Sequence, residues 1–250
     1  MQGQTEAVVT TDAVKGAFEY KYLDNELVPL KTPVGENIML NGRRGYDLTQ
    51  DCDLGAWVDS HLVGAACYGN ENLVPSFCSE YIKVTGREVM AVHIARGSST
   101  IEMWLPGTPR YDIIVKKSLA AIKKAKAVDN VFFVWLQGES NAITSTPKEQ
   151  YKKMIELLCD ALKKDIGINK FGVIRVGRFT NDARDDEIIL AQDEVCSQNP
   201  DFLMLTDIAT TLNTQTEHMN PYCKGHYSAK GMVVLGTAAG KTLGEFVKTE

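Results

Sequence analysis

Apolar and polar positions along the chain change period several times, and each change marks an element. Between Asn72 and Thr85, the residues Leu73, Phe77, Tyr81 and Val84 recur near the helical period, and Gly86 stands where a helix would end. Val89 to Ile94 is a short β-rich run. Tyr111 to Ala127 is amphipathic, which predicts a helix with Ile114, Leu119 and Ile122 facing inward and its lysines outward. Val131 to Leu136 is continuously apolar, the signature of a parallel strand covered on both faces. Thr146 as cap and Pro147 at the first position open a further helix that reaches about Asp165. Phe171 to Val176 is another apolar strand, Asp185 to Ser197 a helix, and Phe202 to Thr206 a final strand. Ser228 caps a last helix running to Val247, and Ala7 to Thr11 has weak strand character.

Strands separated by single helices require right-handed crossovers and a mostly parallel sheet. The pattern predicts one α/β domain over residues 1–250. In such sheets, ligands bind beyond the C-terminal strand ends. Gly97, the run Gln137 to Asn141, Arg178 and Asp207 all fall there. Ala17 to Glu71 has little periodicity, several glycines, and prolines at Pro29 and Pro33, and reads as an elaborated loop wall over those ends.

Composition narrows the function classes. The 250 residues are 44% hydrophobic and 24% charged, enough for one sizeable core. A formal net charge of -5 argues against a general nucleic-acid or anionic-membrane binder, and no apolar run is long enough to span a bilayer. The cysteines form no Cys-x-x-Cys pair, and Cys78, Cys159 and Cys196 sit in helical patterns as buried free thiols. That leans towards a reducing compartment, with the cytoplasm favoured.

Chemistry concentrates at Trp135-Leu136-Gln137-Gly138-Glu139-Ser140-Asn141-Ala142, where a buried strand gives way to amides, a carboxylate and a hydroxyl. Gln137 or Asn141 could aim an amide N–H at an oxyanion, and Glu139 could orient a histidine. A strand-to-helix turn in which these groups satisfy one another is the bland alternative. His226, just before the last helix, is a candidate general base or an exposed loop histidine. A main-chain N–H at Gly97 could serve an oxyanion hole, and Ser98 and Ser99 lack a Gly-x-Ser-x-Gly elbow. His93 reads as a core residue, while His61 and His218 lack supporting neighbours. The four histidines make no metal set, and no Gly-x-Gly-x-x-Gly opens a helix, so no metal or cofactor is expected.

Taken together, three blocks resemble the SGNH hydrolase superfamily, and within it the sialate O-acetylesterase-like carbohydrate esterases. They are Ala95-Arg96-Gly97-Ser98-Ser99 with Trp104, Trp135-x-Gln137-Gly138-Glu139-Ser140-Asn141-Ala142, and His226-Tyr227-Ser228 with Gly231. The resemblance implies a three-layer α/β/α flavodoxin-like fold and serine-dependent removal of acetyl groups from sugars, without metal. It carries over His226 and Glu139 as catalytic groups and Gly97, Asn141 and Gln137 as oxyanion-hole candidates.

Two departures qualify this resemblance. The family's nucleophile lies in a Gly-Gln-Ser-Asn-Met-x-Gly segment after the first strand, whereas this chain begins Met1-Gln2-Gly3-Gln4-Thr5-Glu6. Aligning Gly3 to Glu6 with that segment puts a carboxylate where an oxyanion donor is needed. Aligning Met1 to Gly3 with its tail is therefore preferred, which places the first strand and the serine upstream of Met1 and predicts an inactive or nearly inactive chain. Losing that strand would leave Val89–Ile94 and Val131–Leu136 without a shared neighbour. Secondly, Cys223 occupies the usual place of the triad aspartate, so Glu139, another carboxylate or a main-chain carbonyl would orient His226. The expected partner is an acetylated carbohydrate. A non-catalytic carbohydrate-binding pseudo-esterase is the alternative, and a lipase- or peptidase-like hydrolase a third.

Overall fold

The computed structural model describes residues 5–35, 40–41, 45–46 and 71–249. Its strands are β1 (Ala17–Lys21), β2 (Glu26–Pro29), β3 (Leu40–Asn41), β4 (Gly45–Tyr46), β5 (Val89–Ala91), β6 (Phe132–Trp135), β7 (Lys170–Ile174) and β8 (Phe202–Thr206). The helices are α1 (Val74–Thr85), α2 (Pro109–Lys124), α3 (Glu139–Ile143), α4 (Lys148–Asp165), α5 (Ala183–Gln198), α6 (Ala209–Leu212) and α7 (Ala229–Thr249), with 3-10 turns at Ile101–Trp104 and Thr216–His218.

The alternation of strands and helices is the expected α/β one, with a mostly parallel sheet and helices on both sides in a three-layer, flavodoxin-like arrangement. β6, β7 and β8 are parallel neighbours, and β5 pairs in parallel with β1. Between β5 and β6 the described sheet is split into two three-stranded parts, β2-β1-β5 and β6-β7-β8. The main core gathers Leu158, Phe171, Val173, Ile188 and Leu235, all fully buried.

Three sequence expectations change. First, the loop wall over Ala17 to Glu71 contains a hairpin, because β1 pairs antiparallel with β2 and joins the sheet through β5. Its pattern was opaque because Glu19 is buried while Phe18 is exposed. The carboxylate is satisfied by the Lys21 ammonium at 2.8 Å and the Gly35 N–H at 2.8 Å, so burying it leaves no unpaired charge. Residues 47–70, which include His61, lie outside the described residues. Second, Ala7 to Thr11 is not a strand: the Glu71 carboxylate accepts from the N–H groups of Val9 and Thr10 instead. Third, α2 turns Leu119 to solvent and buries Lys117, whose ammonium donates to the His93 carbonyl at 3.0 Å.

Helix ends follow their residues. Gly86 takes a left-handed conformation (φ 71°) and its N–H closes α1 on Ile82 O. Ser228 Oγ accepts from Gly231 N–H at 3.1 Å, an N-cap bond for α7, and the Glu6 carboxylate meets Ala229 N–H. Pro147 itself stands at the cap position of α4, one residue later than expected. Along α7, Gly236 and Gly240 lie so close to α1 that a Cβ would come within 2.3 Å of Leu73 O and 2.2 Å of Phe77 O. Only glycine permits that backbone approach.

Candidate active site

A cavity of about 770 Å³ opens between β5 and β6. At its mouth, the C-terminal end of the sheet brings together Gly97, Ser98, Gln137, Glu139, Ser140 and His226. Three sequence blocks about 40 and 90 residues apart thus meet at one place, the first two from beyond strand ends and the third from the loop before α7. Arg178 and Asp207 are not on its wall.

His226 is held by its own loop. Its N–H donates to Cys223 O at 3.1 Å, and its carbonyl accepts from Asn220 N–H at 2.8 Å. The ring packs edge-on against Phe179, with centroids 6.1 Å apart. Gly225 is left-handed (φ 81°), and a Cβ there would lie 2.3 Å from the Phe179 ring. Nδ1 stands 3.2 Å from Lys224 O. A carbonyl only accepts, so the tautomer that makes this bond carries its proton on Nδ1 and leaves Nε2 as an acceptor. Nδ1 thus meets a main-chain carbonyl, one of the options left open by the sequence. The Nδ1 contact of His226 is to Lys224 O and not to Glu139. Glu139 opens the short α3, where the N–H groups of a first turn favour a carboxylate. Its charge, after burial, helps push the phenol of Tyr227 up. Cys223, at the place of the family's aspartate, is disulfide-bonded. That bond opposes the leaning towards a reducing compartment, although Cys78, Cys159 and Cys196 are free.

The two amides expected as oxyanion donors are committed elsewhere. Asn141 is fully buried. Its Nδ2 donates to Glu102 Oε2 at 3.1 Å and Thr146 Oγ1 at 3.0 Å, and its Oδ1 accepts from Ile101 N–H at 2.9 Å. Gln137 Nε2 donates to Ser99 O at 2.9 Å and to Asn141 Oδ1 at 2.7 Å. Both amide hydrogens of each side chain are thereby engaged within the protein. Their work is to join the strand ends. Ser99 is likewise committed: its hydroxyl donates to Arg96 O at 2.7 Å and accepts from Trp104 Nε1 at 2.9 Å. The neighbouring Ser98 is exposed and left-handed (φ 55°).

Three supporting residues escaped the sequence reading. Gln192, fully buried on α5, donates to Gln137 O at 2.8 Å and accepts from Val176 N–H at 2.9 Å. Tyr151 OH donates to the same Gln137 carbonyl at 2.8 Å. Asp185 accepts from the N–H groups of Phe179, Thr180 and Asn181, which fixes the loop that carries Phe179. A polar residue on the inward stripe of a helix was the available signal. Gly138 is required by packing, because a Cβ would meet Ile188 Cγ2 at 2.7 Å.

No helix among the described residues is long and apolar enough to cross a membrane, and they contain no cluster of three metal-ligating side chains. A family model described as carbohydrate esterase, sialic acid-specific acetylesterase, matches residues 69–243. An X-ray structure of a protein from Arabidopsis thaliana is similar in fold, with a TM-score of 0.68 at 15% identity over 98% of this chain and 94% of that one. No curated protein matches the sequence.

Proposed function

The chain belongs to the sialic acid-specific acetylesterase family of carbohydrate esterases, and on that premise we propose that the cavity mouth is a site for removing acetyl groups from sugar hydroxyls. The observation that carries this reading is His226, with Nδ1 turned to Lys224 O and its ring on the same cavity as Gly97. In the proposed reaction a serine hydroxyl attacks the acetyl carbonyl carbon while Nε2 of His226 takes its proton. The Gly97 turn supplies a main-chain donor to the oxyanion. The bond from the acetyl carbon to the sugar oxygen then breaks, and His226 returns the proton to that oxygen. Water repeats the sequence on the acyl-serine and releases acetate.

Among the described residues, the ring of His226 contacts Lys224 O and Phe179 and hydrogen-bonds to no hydroxyl. The same observation favours a second reading, a carbohydrate binder that does not hydrolyse. Acetate release from acetylated monosaccharides, with calorimetric binding to the same sugars, separates the two. Release abolished by His226→Ala supports the esterase, and binding without release supports the binder. Neither release nor binding would reject both.

A further inference from the structure

Two cations meet beside the cavity mouth. Arg96 and Trp104 are both on its wall. Trp104 is buried, and its Nε1 donates to Ser99 Oγ at 2.9 Å, while Ser99 Oγ donates to Arg96 O at 2.7 Å. The guanidinium of Arg110 lies over the Trp104 indole, with Cζ 5.9 Å from the ring centroid. These contacts gather Arg96, Ser99, Trp104 and Arg110 into one cluster next to the Gly97 turn.

Arg110 is unfavourable where it stands. It is half-buried, and its Nε is closed to solvent without a hydrogen-bond acceptor. It is the second residue of α2 after the Thr108 cap, where the aligned peptide dipoles favour a carboxylate and oppose a cation. Burial, and then the charge of Arg96, hold its guanidinium below the ordinary arginine value, but an arginine stays protonated in a protein. Among the described residues no carboxylate pairs with it. Glu102 Oε2 accepts from Asn141 Nδ2 at 3.1 Å instead, and Asp112, in the same helical turn, is exposed. The face of Trp104 offsets part of the charge but accepts no hydrogen bond in the plane of the guanidinium. Arg96 has a partner of its own, so it contributes charge, and the open fork is that of Arg110. A carboxylate matches that fork, because its two oxygens accept two parallel N–H bonds.

We propose that Arg110, beside Arg96, receives the carboxylate of an acidic sugar and so selects acidic over neutral acetylated substrates. Arg96 and Gly97 are neighbours in the chain, so a carboxylate held at the cluster and an ester at the Gly97 turn fit on one pyranose. The place of the ester rests on the function proposed above; the carboxylate subsite does not.

Three ligands test the inference: the methyl glycoside of an O-acetylated hexuronic acid, its carboxyl methyl ester, and the matching O-acetylated hexose 6-sulfate. Calorimetry should show the acid binding roughly tenfold or more tighter than the ester, since esterification removes the charge-assisted pair. Arg110→Gln should bring the acid down to the ester. Arg110→Lys, which keeps the charge but loses the fork, should retain part of the difference. Equal binding of acid and ester by the unaltered chain overturns the inference, as does binding of neither, or an acid preference that survives Arg110→Gln. Tighter binding of the sulfate overturns the assignment to a carboxylate. Acetate release is then followed for acid and ester. An acid preference in binding without release from either upholds the subsite and counts against the deacetylation reading alone.

Discussion

Asn141→Ala distinguishes a scaffold amide from a catalytic one. Removing the side chain leaves Ile101 N–H and one hydrogen of Gln137 Nε2 without their acceptor, both in a site closed to solvent. A buried donor left unsatisfied costs about 1–3 kcal/mol, and partial rotation of Gln137 recovers some of that, so the expected loss is about 3 kcal/mol. For a chain of this size the melting temperature should fall by about 6–12 °C. Urea unfolding followed by tryptophan fluorescence measures the loss directly. A loss below about 1 kcal/mol, close to what surface changes produce, would refute the reasoning and return Asn141 to the list of oxyanion donors. Asn141→Asp sharpens the test. It keeps both acceptor roles but sets a second carboxylate beside Glu102, 3.1 Å from the present amide nitrogen. Burial and the like charge raise the folded pKa of the new carboxyl above its unfolded value. Its penalty should therefore be largest at neutral pH and ease as the pH falls and the group takes up a proton.

Other outcomes follow from packing and charge. Gly240→Val should destabilise by about 2–3 kcal/mol in the same urea assay, because the new Cβ would lie 2.2 Å from Phe77 O and the helices must separate. Burial pushes the thiols of Cys78, Cys159 and Cys196 up to about 12, so a thiolate-selective reagent should modify them slowly in the native protein and at once in urea. The Asp182 carboxyl at the α5 N-cap is held well below the ordinary range by the Arg184 side chain and then its N–H. Its stabilisation is complete above the unfolded carboxylate value, about pH 4, and is lost as the pH falls towards the lowered folded value. Asp182→Asn should accordingly flatten the acid limb of the urea-midpoint profile below about pH 4.

The long periodic segments were legible because burial of a helix face or a covered strand leaves a pattern in one dimension. Where polar groups are buried in pairs, that pattern inverts. Glu19 lies inside and Phe18 outside because Lys21 and Gly35 satisfy the carboxylate, and Lys117 replaces Leu119 because a carbonyl accepts from it. The same limit applies to the site. The sequence located Gln137 and Asn141 beyond a strand end and His226 just before the last helix, but residue type does not say which hydrogens are already spent. Gln192 and Asp185 went unread for a related reason: their partners are main-chain groups, which residue type does not reveal, 16 and 55 residues away for Gln192 and four to six away in the preceding loop for Asp185.

The glycine contacts of α7 set a dimension elsewhere. α1 rests on β1 and β5, whereas α7 rests on β7 and β8, so this helix pair bridges the two halves of the sheet. Between β5 and β6 the gauge is kept by how near two helices can come, not by a ladder of backbone bonds. A methyl group added to that seam would act as a spacer, prising the halves apart through Leu73 and Phe77, which also line the opening.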